Sequence, residues 1–226
     1  MKFFTLKTCF IAVIVLQACL IACTNPKPST PPFFDEIEDF KAQDKTHFPK
    51  DGFILFVGSS TFRKWTDLEN VFKSYQAVNR GFGGATLVDM IYYEKDVIFP
   101  YKPRQIIIYC GDNDIATDTV NAELVLSRFK TLFNDIRTKM PSTPIAYVSI
   151  KPSPARFKYF PISKKSNRLI KDFLATQENA QFIDIFPQML NSDGRPKPEL
   201  FVEDSLHLNQ NGYAIFEKAI KPHLIR

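Results

Sequence analysis

Histidine is scarce in this chain: 226 residues carry three, His47, His207 and His223. Cysteine is scarce too, with four in all, and Cys9, Cys19 and Cys23 lie near the N-terminus, which leaves Cys110 alone in the remainder. Scattered imidazoles and one thiol do not make a ligand set, so no metal site is expected. One thiol cannot form an intramolecular disulfide, and Cys110, following an apolar run, reads as a packing thiol. The excess of basic charge is mild. The 29 basic and 24 acidic residues give +5 without a dense basic stripe, so nucleic acid is not an expected partner. No internal repeat is visible. Tryptophan occurs once against 22 phenylalanines, and core packing is the expected use of most of the latter. A hydrophobic content of 45% with 23% charged residues excludes a disordered chain and a multi-span membrane protein, and the length suits one sizeable core.

The N-terminus has its own grammar. Lys2 and Lys7 form a basic region ahead of the apolar run Phe10 to Leu16, which is short for a membrane span of ~20 residues. Leu20-Ile21-Ala22-Cys23 then resembles a bacterial lipobox, in which a lipidated cysteine becomes the first mature residue. Cys19 is a second candidate, but Gln17 suits the position two before it less well than Ile21 suits Cys23. The expected organisation is a signal peptide over 1–22, a lipidated Cys23 with a Pro-rich tether over 23–33, and one domain over 34–226. The expected location is the bacterial cell envelope, with the membrane as partner through that lipid. Loss of Lys2 and Lys7 with the signal brings the net charge to +3.

Beyond the tether, Phe34, Ile37 and Phe40 recur at helical spacing and predict an opening helix to about Gln43. Continuous apolar runs follow at 53–57, 106–109, 145–150 and 182–185, with a weaker one at 77–79. Such runs are what parallel strands buried on both faces require. Helical patterns separate them, at Leu124 to Ile136, Ile162 to Phe173 and Tyr213 to Ile220. This order predicts a three-layer α/β/α sandwich with about five parallel strands and right-handed crossovers. Function in such a sheet sits at the carboxyl ends of the strands.

Four clusters fall at or near that rim: Gly58-Ser59-Ser60, Gly81-Phe82-Gly83-Gly84, Gly111-Asp112-Asn113-Asp114 and Asp204-Ser205-Leu206-His207. A serine hydroxyl needs a base, and His207 is the best placed of the three imidazoles, with Asp204 one turn earlier to orient its ring. Alone, that pair also reads as a helix N-cap beside a surface histidine. Acyl transfer further needs donors for the oxygen that becomes negative. The N–H groups of Ser60 and Gly84 and the Asn113 amide supply that inventory, and glycine at 84 lets backbone approach closely. The glycine cluster also suits a plain strand-to-helix turn, or a phosphate cradle, although it lacks the G-x-G-x-x-G spacing.

Taken in this order, the clusters resemble the blocks of the SGNH hydrolase superfamily, the GDSL esterases and lipases, from about Gly52 to Pro222. The resemblance implies a flavodoxin-like fold, hydrolysis of esters or thioesters without a cofactor, Ser60 as nucleophile, Gly84 and Asn113 as oxyanion donors, and Asp204 and His207 as the base pair. One departure stands out: Ser59 occupies the position where the first block usually has Asp. Alignment to the block still favours Ser60 over Ser59.

The expected activity is hydrolysis of an O-acylated carbohydrate or a lipid ester, with acyl transfer to a sugar hydroxyl and non-catalytic glycan or lipid binding as rival readings. The basic, aromatic segment Lys151 to Phe160 follows the fourth strand, and is read either as a substrate-binding loop over the site or as a Pro-stiffened connection. Arg63, Trp65 and Arg80 flank the blocks, where contact with an anionic or sugar substrate is one reading and pairing and packing are the expected one.

Overall fold

Five strands form one parallel sheet in a computed structural model that describes residues 30–226. The expected signal peptide, Cys23 and most of the expected tether lie outside the described residues. One compact unit spans Pro32 to Arg226. Its elements run α1 (Phe34–Thr46), β1 (Ile54–Gly58), α2 (Ser60–Arg63), α3 (Leu68–Val71), β2 (Ala77–Gly81), α4 (Leu87–Val97), β3 (Gln105–Tyr109), α5 (Ala122–Lys139), β4 (Ile145–Val148), α6 (Phe160–Leu174), β5 (Ala180–Ile183) and α7 (Gln210–Ile220).

The strand order is β2-β1-β3-β4-β5 with every pairing parallel. Central strands β1, β3 and β4 are buried at every position because their successive side chains feed two cores. Leu55, Val57, Ile106 and Ile108 join the core under α1, α4, α5 and α6, built with Ile37, Met90, Phe129 and Ile170. Ile54, Phe56, Ile107 and Tyr109 join the core under α2, α3 and α7, built with Phe62, Leu68 and Phe216. Burying one such aliphatic or phenyl side chain contributes about 1.5–3 kcal/mol, so the unbroken apolar strands are the main source of the fold's stability. This is the three-layer α/β/α sandwich expected from the alternation of elements.

The departures from the sequence reading have local causes. The fifth strand begins two residues before the apolar run that announces it, because β5 is an edge strand whose Ala180 and Gln181 pair through backbone while remaining partly or fully exposed. Helix α4 gave no strong periodic signal. Its start is fixed by a capping box, in which Thr86 accepts from the Asp89 N–H and the Asp89 carboxylate accepts from the Thr86 N–H, a device that contributes about 1 kcal/mol. Phe33, assigned to the tether, instead packs edge-on against Phe82 at 5.5 Å between ring centroids, and Tyr93 Oη donates to the Pro32 carbonyl at 2.6 Å.

Connectivity reverses at β1. The chain leaves β1 for β2 on one side and returns past it to β3 on the other, so a crevice opens at the carboxyl ends of β1 and β3.

Candidate active site

Ser60 opens helix α2 just beyond the end of β1. The turn that presents it depends on Gly58, which has φ +147° and pairs with Tyr109 across the sheet. A Cβ at Gly58 would stand 1.9 Å from the Tyr109 carbonyl oxygen, so no other residue lets the two strands remain paired there. Ser59 is 1% exposed, and its carbonyl accepts from the N–H groups of Phe62 and Arg63. Ser60 is half-buried and faces the imidazole.

His207 arrives on a tight loop. Phe201 and Leu208 form an antiparallel bridge and are both buried, while Ser205 takes a left-handed backbone with φ 55° between them. The Asp204 carboxylate organises the turn: Oδ1 accepts from the N–H groups of Leu206 at 2.9 Å and His207 at 2.8 Å, and Oδ2 lies 2.6 Å from His207 Nδ1. On the far side of the ring, Nε2 lies 3.1 Å from Ser60 Oγ. Burial works against the charge of Asp204, but the bonds from the His207 ring and from the two N–H groups outweigh it and hold the carboxyl well below the usual carboxylate range. Helix α7 ties this loop to α2, because Tyr213 Oη donates to the Thr61 carbonyl at 3.0 Å and its ring stacks on Trp65.

Two backbone donors are available nearby. No hydrogen bond among the described residues uses the N–H of Ser60 or of Gly84. Gly84 follows β2 and is exposed, and a Cβ built on it would meet only Asn113 Nδ2, at 3.9 Å. Asn113 follows β3, and its Nδ2 donates to the Ala85 carbonyl at 3.0 Å. The two turns are locked together by Asp114, which is 1% exposed and accepts from the Leu87 N–H and from Arg128. Ser60, Gly84, Asn113 and His207 are thereby drawn to one rim from four separate elements. Such a set can remove a hydroxyl proton and receive an oxyanion.

The segment after β4 corrects one expectation. Lys151 does not overhang the rim; it is 3% exposed and ion-paired with Asp112, itself 4% exposed. Arg156 also lies against Asp112, 2.7 Å from Oδ1, and donates to Asn113 Oδ1 at 2.8 Å. Burial disfavours the Asp112 charge, but these two cations hold its carboxyl below the ordinary range. Lys151 and Arg156 thus buttress the Asn113 turn, while Phe157 and Lys158 of the same segment stay exposed. The only sequence signal for this was a pair of cations directly after an apolar strand, where a buried carboxylate partner is needed. The flanking residues are structural as expected: Arg63 pairs with Glu36 at 2.5 Å, Trp65 is 2% exposed, and Arg80 is buried against Asp44 and Tyr101. Cys110 is free and buried. His47 is exposed, and His223 bonds Gln181, both away from the rim.

Comparison with known proteins gives this geometry a context. The platelet-activating factor acetylhydrolase IB subunit alpha1 of Pongo abelii is 24% identical over 196 residues, covering 83% of this chain and 80% of that protein. Among solved structures, a Streptococcus pneumoniae protein described as a candidate platelet activating factor has a TM-score of 0.74 at 22% identity, covering 85% of this chain and 92% of that one. An acetyl-xylooligosaccharide esterase from Geobacillus has a TM-score of 0.61 at 16% identity, covering 78% and 95%. The two structural likenesses speak for the fold. The model of the GDSL-like lipase/acylhydrolase family matches residues 54–215, the stretch that runs from β1 into α7 and carries every cluster at the rim. By that match the chain belongs to the GDSL-like lipase/acylhydrolase family, within the SGNH hydrolases, and is an ester hydrolase.

Proposed function

We propose that the protein hydrolyses short acyl esters, acetyl esters first, with Ser60 as nucleophile, His207 as general base and Asp204 as its orienting carboxylate. The observation that carries the reading is the line of contacts from Asp204 Oδ2 through the His207 ring to Ser60 Oγ, at 2.6 and 3.1 Å. With its Nδ1 proton directed to Asp204, the ring offers Nε2 as acceptor for the Ser60 proton. Oγ attacks the ester carbonyl, and the oxygen that becomes negative is met by the N–H groups of Ser60 and Gly84 and by the Asn113 amide. The alcohol leaves with the proton held on Nε2. Water then enters, gives a proton to Nε2 and attacks the acyl-serine, and the acid departs as Oγ regains its proton.

Relatives and exposure both point to a small acyl group. One relative is a platelet-activating factor acetylhydrolase subunit and another an acetyl-xylooligosaccharide esterase, so the acetyl group is what their names share. Exposure of Gly84 and Asp204 beside a half-buried Ser60 supports attack on a small acyl group presented at the surface by a bulky carrier. An O-acetylated carbohydrate and an acetylated lipid both fit. The lipobox at Cys23 supports action at the cell envelope from a lipid tether, and labelled palmitate that still enters Cys23→Ala would remove that part of the proposal.

The deciding experiment is a panel of aryl esters of rising chain length with acetylated glycans and acetylated lipids, with and without an added sugar acceptor. Fastest release of free acetate, together with fluorophosphonate labelling of Ser60, is expected. Acetyl transfer to the acceptor in preference to water would make the protein a transferase, and absence of a Ser60 adduct would overturn the assignment of the nucleophile.

A further inference from the structure

We propose that Arg156, held by Asp112, is the positioning residue that fixes and polarises the Asn113 amide toward the oxyanion; the inference rests on the reading of Asn113 as an oxyanion donor. A primary amide is nearly symmetric in shape and opposite in polarity at its two ends. Turned over, Asn113 would set an acceptor oxygen where the negative charge develops. The site therefore needs something that reads the polarity, and two contacts do so. Oδ1 accepts from Arg156 Nη2 at 2.8 Å, and Nδ2 donates to the Ala85 carbonyl at 3.0 Å. A guanidinium only donates and a carbonyl only accepts, so the turned-over amide would oppose donor to donor and acceptor to acceptor. Nδ2 carries a second hydrogen that the Ala85 bond does not use, and the nitrogen lies 3.9 Å from where the Cβ of a residue at 84 would stand.

Charge acts in the same direction. Two cations, Lys151 and Arg156, share one carboxylate, Asp112. Asp112 and Lys151 form the more deeply buried pair, with side chains 5% and 2% exposed. One carboxylate faces two cations, so the cluster of the three carries a net positive charge, and Arg156 presents its Nη2 edge to the Asn113 oxygen while Nη1 lies against Asp112. A cation on the carbonyl end of an amide withdraws electron density from its nitrogen and makes the remaining N–H a stronger donor, most effectively where water is excluded. Arg156 also donates to the Asp112 backbone carbonyl, so its contacts go to the Asn113 turn, and it acts on the reaction through that amide. The same segment steadies the base: the Ala155 N–H donates to the Ser205 carbonyl at 3.1 Å, within the loop that carries Asp204 and His207.

The test is a double-mutant cycle on aryl acetate hydrolysis, with the rate of Ser60 phosphonylation by a fluorophosphonate as second readout where turnover is slow. Arg156→Met is expected to lower kcat roughly 10- to 100-fold with KM within about 3-fold, less than the ~100-fold or more for losing the donor itself. Arg156→Lys should recover most of the rate, and adding Arg156→Met to Asn113→Ala should cost less than about 2-fold, because the residue acts through the amide. Thermal melting establishes that each variant is folded. Should Arg156→Met not fold, Arg156→Gln, which removes the charge and keeps a polar side chain, with and without Asn113→Ala provides the same cycle. An unchanged kcat in folded Arg156→Met, or an equal loss in the presence and absence of Asn113, overturns the inference. A wild-type kcat in Asn113→Ala instead overturns the oxyanion reading on which it rests.

Discussion

His207 Nε2 stands 3.1 Å from Ser60 Oγ, a contact between residues 147 positions apart in the chain. It exists because two anchors meet: the strand-end turn at Gly58 lifts Ser60 to the rim, and the Phe201–Leu208 bridge pins the loop that carries the imidazole.

The two serines of the first cluster should separate cleanly. Ser60→Ala is expected to reduce kcat on the order of 10⁴-fold or more while leaving the melting temperature near wild type. Ser59→Ala, at a buried position one residue earlier, should keep activity within about 3-fold. Steady-state kinetics on an aryl acetate decides it, and equal losses in both variants would contradict the geometry.

Asp204 should be ionised at every practical assay pH. Its folded carboxyl is held well below the usual range, so the bond to His207 contributes stability above the unfolded carboxylate value of ~3.9 and loses it only as pH falls through the lower folded value. Asp204 therefore contributes no ionisation to kcat/KM in the ordinary carboxylate range. A pH–rate profile with a carboxylate-like ionisation near pH ~4 would contradict this. Asp204→Asn should lower kcat/KM roughly 10²- to 10⁴-fold by disturbing the ring tautomer.

Two glycines should behave in opposite ways. Gly58→Ala places a Cβ 1.9 Å from the Tyr109 oxygen at a positive φ, and is expected to cost more than ~4 kcal/mol or prevent folding. Gly84→Ala meets nothing closer than Asn113 Nδ2 at 3.9 Å. It should melt within about 2 °C of wild type yet lose activity, since the added methyl stands beside the amide donor. Melting curves and kcat on both proteins check the contrast.

Glu94 offers a stability lever away from the rim. Burial first, and then the charge of Asp135, push its carboxyl up to about 7, and Oε2 has no hydrogen-bond partner. Between the unfolded value of ~4.3 and about 7 the folded state binds the extra proton, so stability falls as pH rises through that window. Glu94→Gln should therefore raise the melting temperature on the order of 4 °C at pH 8 and much less at pH 5. A gain independent of pH would show that the carboxyl is not strained by its charge.

The layered fold was legible because apolar runs and helical spacing report burial directly. The strands at 53–57 and 106–109 are continuous in hydrophobicity because the sheet is covered on both faces, and that pattern needs no long-range information. The rim residues Ser60, Gly84, Asn113, Asp204 and His207 were legible for a different reason: reactive groups at strand ends keep a short local signature. Edge strand β5 and helix α4 were harder, since an edge pairs through its backbone and a capping box is brief beside an apolar period.

By itself the sequence determined the strand set, the order of the clusters and the family they resemble, all of which are local in the chain. Tertiary structure alone decided the strand order that opens a crevice between β1 and β3, the approach of His207 to Ser60, and the inward turn of Lys151 and Arg156 onto Asp112. A buried charge chooses its partner by distance and dielectric environment, and sequence spacing encodes neither. That is why Lys151 and Arg156, in a segment whose composition suited a substrate loop, turn inward to support the Asn113 turn.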